Sequence, residues 1–310
     1  MSSSVSDTPV AARLRGRPGG YRQPGWVGYA FISPAAVLFL TFIVGPFIAA
    51  IALSFYRWDL LTPAKPTGLT NFVKLFSDHV LLQSLGNTFI FAISSVVLHV
   101  GVGLLLALAL NRGMNRVLSY FVKTTLFFPL LISWAAVALL WKYVLDPTFG
   151  YFSYYLNFIG VHTPAFFTDP HWALAAIIGV DFWHTIGYTL IILLAGLQTV
   201  PSELVEAAHT DGAGPVQTFF NVTLPLMSPT IFFATVITFI QAFQIFDPMQ
   251  IITQGGPSNR TLSIVQYLYQ SAFQSFNVGY ASAIALVVFV IVMAVTGLQF
   301  WASRRWVYQS

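Results

Sequence analysis

A chain of 310 residues that is 56% hydrophobic and only 8% charged lies far from the ~25% charged residues of a soluble domain. A mean hydropathy of +0.74 makes it a polytopic membrane protein, and the absence of cysteine excludes disulfides and thiolate metal sites. The net charge of +4 is spread over scattered Lys and Arg with no basic cluster among aromatics, so nucleic acid is not expected as a partner.

In chain order, residues 1–24 are rich in Ser, Arg, Pro and Gly and read as a disordered cytoplasmic tail; residues 25–310 read as one transmembrane domain. Six apolar segments are long enough to cross a bilayer as helices, at 29–55, 86–110, 122–145, 172–198, 228–247 and 279–302. The first is too long for a signal-peptide core and has no small-residue cleavage site after it, so it should be retained. Between the first two spans, Gly68-Leu69-Thr70-Asn71-Phe72 followed by Val73, Leu75 and Phe76 predicts a short amphipathic helix lying at the interface. Residues 146–171 carry two Pro-containing turns and several aromatics and form a larger cap. After the fifth span, Thr253-Gln254-Gly255-Gly256-Pro257 is a Gly/Pro turn that cannot be helical.

Lys and Arg orient the bundle. Arg13, Arg15, Arg17, Arg22, Arg112, Arg116, Lys123, Arg304 and Arg305 fall on one face, and Arg57, Lys65, Lys74, Lys142 and Arg260 on the other. With an even number of spans, both termini and the loop at 199–227 are expected on the cytoplasmic side. That loop has no Lys or Arg of its own, so its neighbours place it.

The same loop carries the most specific signal in the chain. It reads Glu206-Ala207-Ala208, three residues, Gly212, nine residues, then Val222-Thr223-Leu224-Pro225. Pro201-Ser202 with Glu203 in the first turn starts a helix. Leu204, Ala207 and Ala208 share one face, with Asp211 near its end, and Gly212 suits the left-handed position that ends it. Gly214-Pro215 starts a second short helix bearing Phe219, Phe220 and Val222, closed by Leu224-Pro225. Two short helices at an angle make a rigid, projecting knob.

This order and spacing resemble the loop by which permease subunits of bacterial binding-protein-dependent ABC importers dock on their ATPases, with Val222 where that family more often has Ile. The turn at Gly255-Gly256-Pro257 also resembles the branch that handles sugars and glycerol-3-phosphate, where it faces the solute-binding protein. Leu53-Ser54-Phe55 with Trp58, and Asn277-Val278-Gly279-Tyr280, extend the likeness over residues 26–305. The resemblance implies the type I importer transmembrane fold, in the bacterial plasma membrane. It implies four kinds of partner: a homologous second permease, two ATPase subunits, an extracytoplasmic solute-binding lipoprotein and the lipid bilayer. The chain contains no G-x-x-x-x-G-K-[ST], so it should be no enzyme and hold no cofactor, with ATP and Mg bound by the ATPase subunits.

Polar residues inside spans mark the candidate path. Asp181 lies mid-way along the fourth span, where an acidic side chain costs about 2.5–3.5 kcal/mol and so should face protein or water. His184 and Tyr188 follow it at i+3 and i+7. Gln241 and Gln244 lie in the fifth span with Thr238 and Asp247 a turn to either side, and Trp183, Tyr188 and Phe243 are aromatics available to cover a sugar ring. The same polar groups also suit interhelical hydrogen bonding, and His99, alone in the second span, reads as structural. An ion-coupled transporter relaying protons through Asp181 and His184 is the competing class, though no repeat of either motif supports it. An intramembrane enzyme would need a nucleophile or metal set that is not evident. No Lys or Arg lies deep in any span. This favours a neutral sugar or oligosaccharide over glycerol-3-phosphate or a glycerophosphodiester.

Overall fold

The structure, a computed structural model, describes residues 26–111, 115–160 and 164–307. The tail at 1–24 and Arg112 lie outside the described residues. The chain divides into two compact units, one ending at Ala49 and one starting at Ala50. In the first, α1 (Trp26–Phe39) runs through a π-turn (Leu40–Val44) into α2 (Gly45–Leu53). The π-turn directly precedes Gly45-Pro46. The Gly45 N–H reaches back five residues to the Leu40 carbonyl, a widening that accommodates a ring with no N–H and a clash at i−4.

The second unit holds α3 (Thr70–Ser77), α4 (His79–Asn111), α5 (Arg116–Phe127), α6 (Trp134–Val144), α7 (Tyr151–Phe158), α8 (Ala173–Gln198), α9 (Ser202–Thr210), α10 (Pro215–Thr218), α11 (Leu224–Phe243), α12 (Ile264–Tyr269) and α13 (Val278–Ser303). The long α4 packs along both α8 and α11. One apolar core joins Phe91, Ile177, Phe239, Phe243, Tyr280 and Ile284; a second, toward the 199–227 end, joins Ala107, Leu110, Leu190, Leu193 and Ala234. In lipid, helices associate through close packing, and small residues permit it. Gly187 is one of these: an added Cβ would strike the Leu126 carbonyl of α5.

The third span departs from the expected single helix over 122–145. α5 ends in a 3-10 turn (Phe128–Leu131), and α6 leaves at 104° to it. Pro129 withholds a donor from the helix, and the Ser133 hydroxyl accepts from the Ala136 N–H at 3.4 Å to start a new one. The described residues therefore hold five helices long and apolar enough to span, or six if the bent pair counts as one. The fifth span also differs from 228–247. It begins at Pro215 and runs unbroken to Phe243, because a π-turn (Phe219–Thr223) absorbs Pro225 and lets the Leu224 N–H reach the Phe219 carbonyl. Leu224-Pro225 thus opens α11 instead of closing the second short helix.

At the opposite end, a two-residue hairpin pairs Tyr56 with Pro66 and Arg57 with Lys65. The Asn71 amide donates to the carbonyls of Ser54 (2.8 Å) and Tyr56 (3.0 Å), seating the predicted amphipathic helix α3 against it. The hairpin then reaches α13, where the Val278 N–H donates to the Trp58 carbonyl at 3.0 Å. Gly279 meets the Tyr56 carbonyl so closely that no Cβ fits.

Candidate coupling loop and translocation path

The first helix of the knob is built as its sequence demands. α9 begins after Pro201 with Glu203 in its first turn, where a carboxylate favours the helix dipole. It ends with Gly212 at φ +84°. There the Gly212 N–H donates to the His209 carbonyl (3.0 Å) and the Ala213 N–H to that of Ala208 (2.9 Å). These two bonds satisfy carbonyls that the helix end would leave orphaned. No residue of α9 is buried. Glu206, Ala207 and Asp211 are exposed, and Ala208 is half-buried. Leu204, Val216 and Phe220 leave 48%, 70% and 58% of their surface open, a large apolar display for one small loop. Behind it, a cavity of about 590 Å³ separates Ser202, Glu206 and His209 from Leu108 and Asn111 at the end of α4. The knob therefore stands off the bundle.

Mid-way along the bundle, a cavity of about 280 Å³ is lined by Asp181, Thr185, Gln241, Thr238, His99 and Trp134, with Ser95 beside them. It brings together Asp181 and Gln241, one from each span flanking the knob. The other three candidates lie elsewhere. His184 shares its stripe with Asp181, but its Nε2 lies 3.0 Å from the Ile132 carbonyl and its ring packs edge-on to Trp134, 4.1 Å between centroids. It props the broken third span. Tyr188 is 38% exposed and Gln244 caps the end of α11; neither lines the cavity.

His99, alone among the apolar residues of its span in sequence, is not isolated in the structure. It joins Asp181 through a polar network across α4 and α8. Its Nδ1 is 2.7 Å from the Ser95 carbonyl and therefore carries a proton; its Nε2 is 2.7 Å from the Thr185 hydroxyl and 4.0 Å from the Asp181 carboxylate. The Thr185 hydroxyl also reaches the Asp181 carbonyl at 2.8 Å. With one hydrogen to give, it serves either the ring or the carbonyl. The arrangement is complete with a neutral imidazole in the first case and with an imidazolium facing Asp181 in the second. The Ser95 hydroxyl adds a 3.4 Å contact to the same carboxylate. Ser95 and His99 stand at i, i+4 in the apolar run of α4, and that spacing was the available signal. The aromatic wall is also reassigned. Phe243 is fully buried in the core and Trp183 packs on Trp141, whereas Trp134 faces the cavity.

At the far end, Thr253 closes a π-turn (Met249–Thr253) and the Gly/Pro turn is non-helical from Gln254 onward, with Gln254, Gly255, Ser258 and Asn259 all at positive φ. Gly255 itself is buried, and a Cβ there would sit 2.9 Å from Leu262, so its freedom serves packing within the chain. Gly256 and Pro257 are half-buried, and Gln254, Ser258, Asn259 and Arg260 are the exposed residues. The turn is strapped to α4 by the Gln83 and Asn87 amides, which donate to the carbonyls of Ser258 (3.1 Å) and Asn259 (2.7 Å).

Residues 99–308 match the pattern of the binding-protein-dependent transport system inner membrane component. The chain belongs to that family. The permease is 38% identical over 276 residues to the probable ABC transporter permease protein YurN of Bacillus subtilis, covering 88% of this chain and 94% of that protein. It is 33% identical to the sulfoquinovosyl glycerol transport system permease protein SmoG of Agrobacterium fabrum, over 86% of this chain and 87% of that one. With the sn-glycerol-3-phosphate transport system permease protein UgpA of Brucella abortus it shares 32% identity over 91% and 96%. Its backbone superposes with a TM-score of 0.80, at 26% identity, on a chain from a bacterial ABC transporter involved in the import of the acidic polysaccharide alginate, covering 90% of this chain and 96% of that one. The fold is that of an ABC importer permease, an inner-membrane subunit of a larger transport complex.

Proposed function

We propose that this permease carries a neutral sugar or oligosaccharide across the bacterial plasma membrane, with Asp181 and Gln241 as its mid-membrane hydrogen-bonding groups. Residues 25–310 act as the transmembrane domain, with both termini and the 199–227 loop cytoplasmic. The knob of Glu203, Glu206, Ala207, Ala208, Asp211 and Gly212 docks in a groove of an ATPase subunit. Two such subunits hold ATP and Mg and do the hydrolysis. A homologous second permease closes the path, and the exposed rim of the Gly255-Gly256-Pro257 turn meets the solute-binding protein. ATP-driven closure then rocks the spans between outward and inward openings.

The observation that carries this reading is the cavity, which joins a carboxylate and an amide from the spans on either side of the knob. A carboxylate accepts two hydroxyls, an amide donates and accepts, and Trp134 offers an aromatic face to the apolar side of a ring. No Lys or Arg lines it, and Asp181 would repel a phosphate. Glycerol-3-phosphate or a glycerophosphodiester, the second reading, draws support from the UgpA likeness and needs positive charge from the partner permease. In the reconstituted complex, Asp181→Asn and Gln241→Leu should each assemble, lower sugar uptake by about tenfold, the loss of one good hydrogen bond to substrate, and keep binding-protein-stimulated ATP hydrolysis. Failure of both to assemble would make these residues bundle glue, and normal uptake in both would move the path elsewhere.

A further inference from the structure

We infer that the pocket between Arg57, Trp58, Lys65, Phe276 and Asn277 binds the phosphodiester headgroup of an anionic membrane phospholipid. The pocket measures about 400 Å³, and its depth is set by the chain. Leu53 ends one span and Val278 begins another. Arg57 and Trp58 follow the first, and Phe276 and Asn277 precede the second, by a few positions. The hairpin returns Lys65 to the level of Arg57, which is headgroup level. Arg57 and Lys65 face each other across the hairpin. Like charges directly opposite in an antiparallel pair repel, and among the described residues neither has a carboxylate within ion-pair distance. The acid in the wall, Asp59, turns its Oδ1 back into its own loop, accepting from the Leu61 and Thr62 N–H groups and the Thr62 hydroxyl. Two cations and one carboxylate thus line the pocket, and neither cation is in an ion pair among the described residues. One phosphodiester would offset the excess positive charge, with Arg57 able to bond two of its oxygens.

The rim selects a lipid over a soluble anion. Trp58, Pro63 and Phe276 line the pocket beside its charged groups. Phe276 is 48% exposed, and Leu60 and Leu61, next in the chain after Asp59, are 46% and 85% exposed. Leu60 and Phe276 hold left-handed backbone, at φ 66° and 50°, which disfavours residues with a side chain and persists where the surroundings require it. A phosphate on the floor with acyl chains along the rim satisfies both halves. An acidic side chain of a docking protein uses only the first.

The test uses the assembled transporter, delipidated in detergent and titrated with dioleoylphosphatidylglycerol, read by native mass spectrometry and thermal melting. In R57Q/K65Q the tightest lipid adduct should weaken by about tenfold or more, given the contribution of each basic residue at a lipid surface. The lipid-induced rise in Tm should disappear, with the lipid-free Tm unchanged or higher. K142Q and R260Q, which remove other cations, should keep both effects, and Arg57→Gln alone serves if the double variant fails to assemble. Undiminished lipid binding in R57Q/K65Q overturns the assignment. So does equal stabilisation by water-soluble glycerophosphoglycerol, which makes this a free-anion site. Loss of solute-binding-protein affinity with lipid binding intact overturns it too, in favour of a docking carboxylate.

Discussion

Asp78 ties four elements together at the end opposite the knob. Its Oδ1 caps α4 through the Val80 and Leu81 N–H groups (3.0 and 3.1 Å), and its Oδ2 accepts the hydroxyls of Tyr267 (2.5 Å) and Tyr280 (2.6 Å). Lys74 of α3 sits 4.2 Å over the Tyr280 ring, close enough for a cation–π contact. Partial burial works to raise the pKa of this carboxylate, but the four donors outweigh it and hold it below the usual range. The sign follows: the stabilisation is complete above the unfolded carboxylate pKa of ~3.9 and is lost as pH falls through the lower folded value. Asp78→Asn keeps an acceptor but loses the charge, so it should lower stability at pH 7 by about 1–3 kcal/mol. Thermal melts in detergent should show that difference shrinking as pH approaches ~3; a pH-independent difference would assign the effect to packing. No local pattern marks Asp78 for this role, because its tyrosine partners lie 189 and 202 positions away.

Among the elements, the first helix of the knob was legible in detail and the third span was not. α9, its acidic first turn and its Gly212 stop follow local rules that a few adjacent residues satisfy. A Cβ at Gly212 would meet nothing within 4 Å, so the only barrier to substitution there is its φ of +84°. Gly212→Val should therefore leave the bundle intact and misdirect the knob, because a β-branched residue is excluded from that backbone. Co-purification of the ATPase and binding-protein-stimulated ATP hydrolysis are the measurements, and normal values for both would refute the docking assignment. Hydropathy averaged over a window cannot see a 104° bend, although Pro129 and Ser133 marked it locally. The break matters, because Trp134, just beyond it, forms the aromatic wall of the cavity.

At the scale of the whole molecule, the knob and the Gly/Pro turn occupy opposite ends of α11, so a rigid helix links the two proposed docking faces. A cysteine-free chain makes that testable: Ser258→Cys should cross-link to the solute-binding protein, and more strongly in one nucleotide state than another. No cross-link in either the resting or the nucleotide-trapped complex would remove the turn from that interface. Fold class, the approximate spans and the knob were determined by the sequence itself, since bilayer thickness, hydropathy and capping are read over neighbouring residues. Which polar groups share a cavity was decided by tertiary structure alone. Asp181, His184 and Tyr188 lie on one stripe of α8, yet α4 and the broken third span divide that stripe among a cavity, a packing contact and an open surface. His99 joined Asp181 because α4 lies against α8, and Gly255 turned inward because Leu262 lies beneath it. A period of 3.6 residues places side chains on a face, but only the neighbouring helices determine what that face meets.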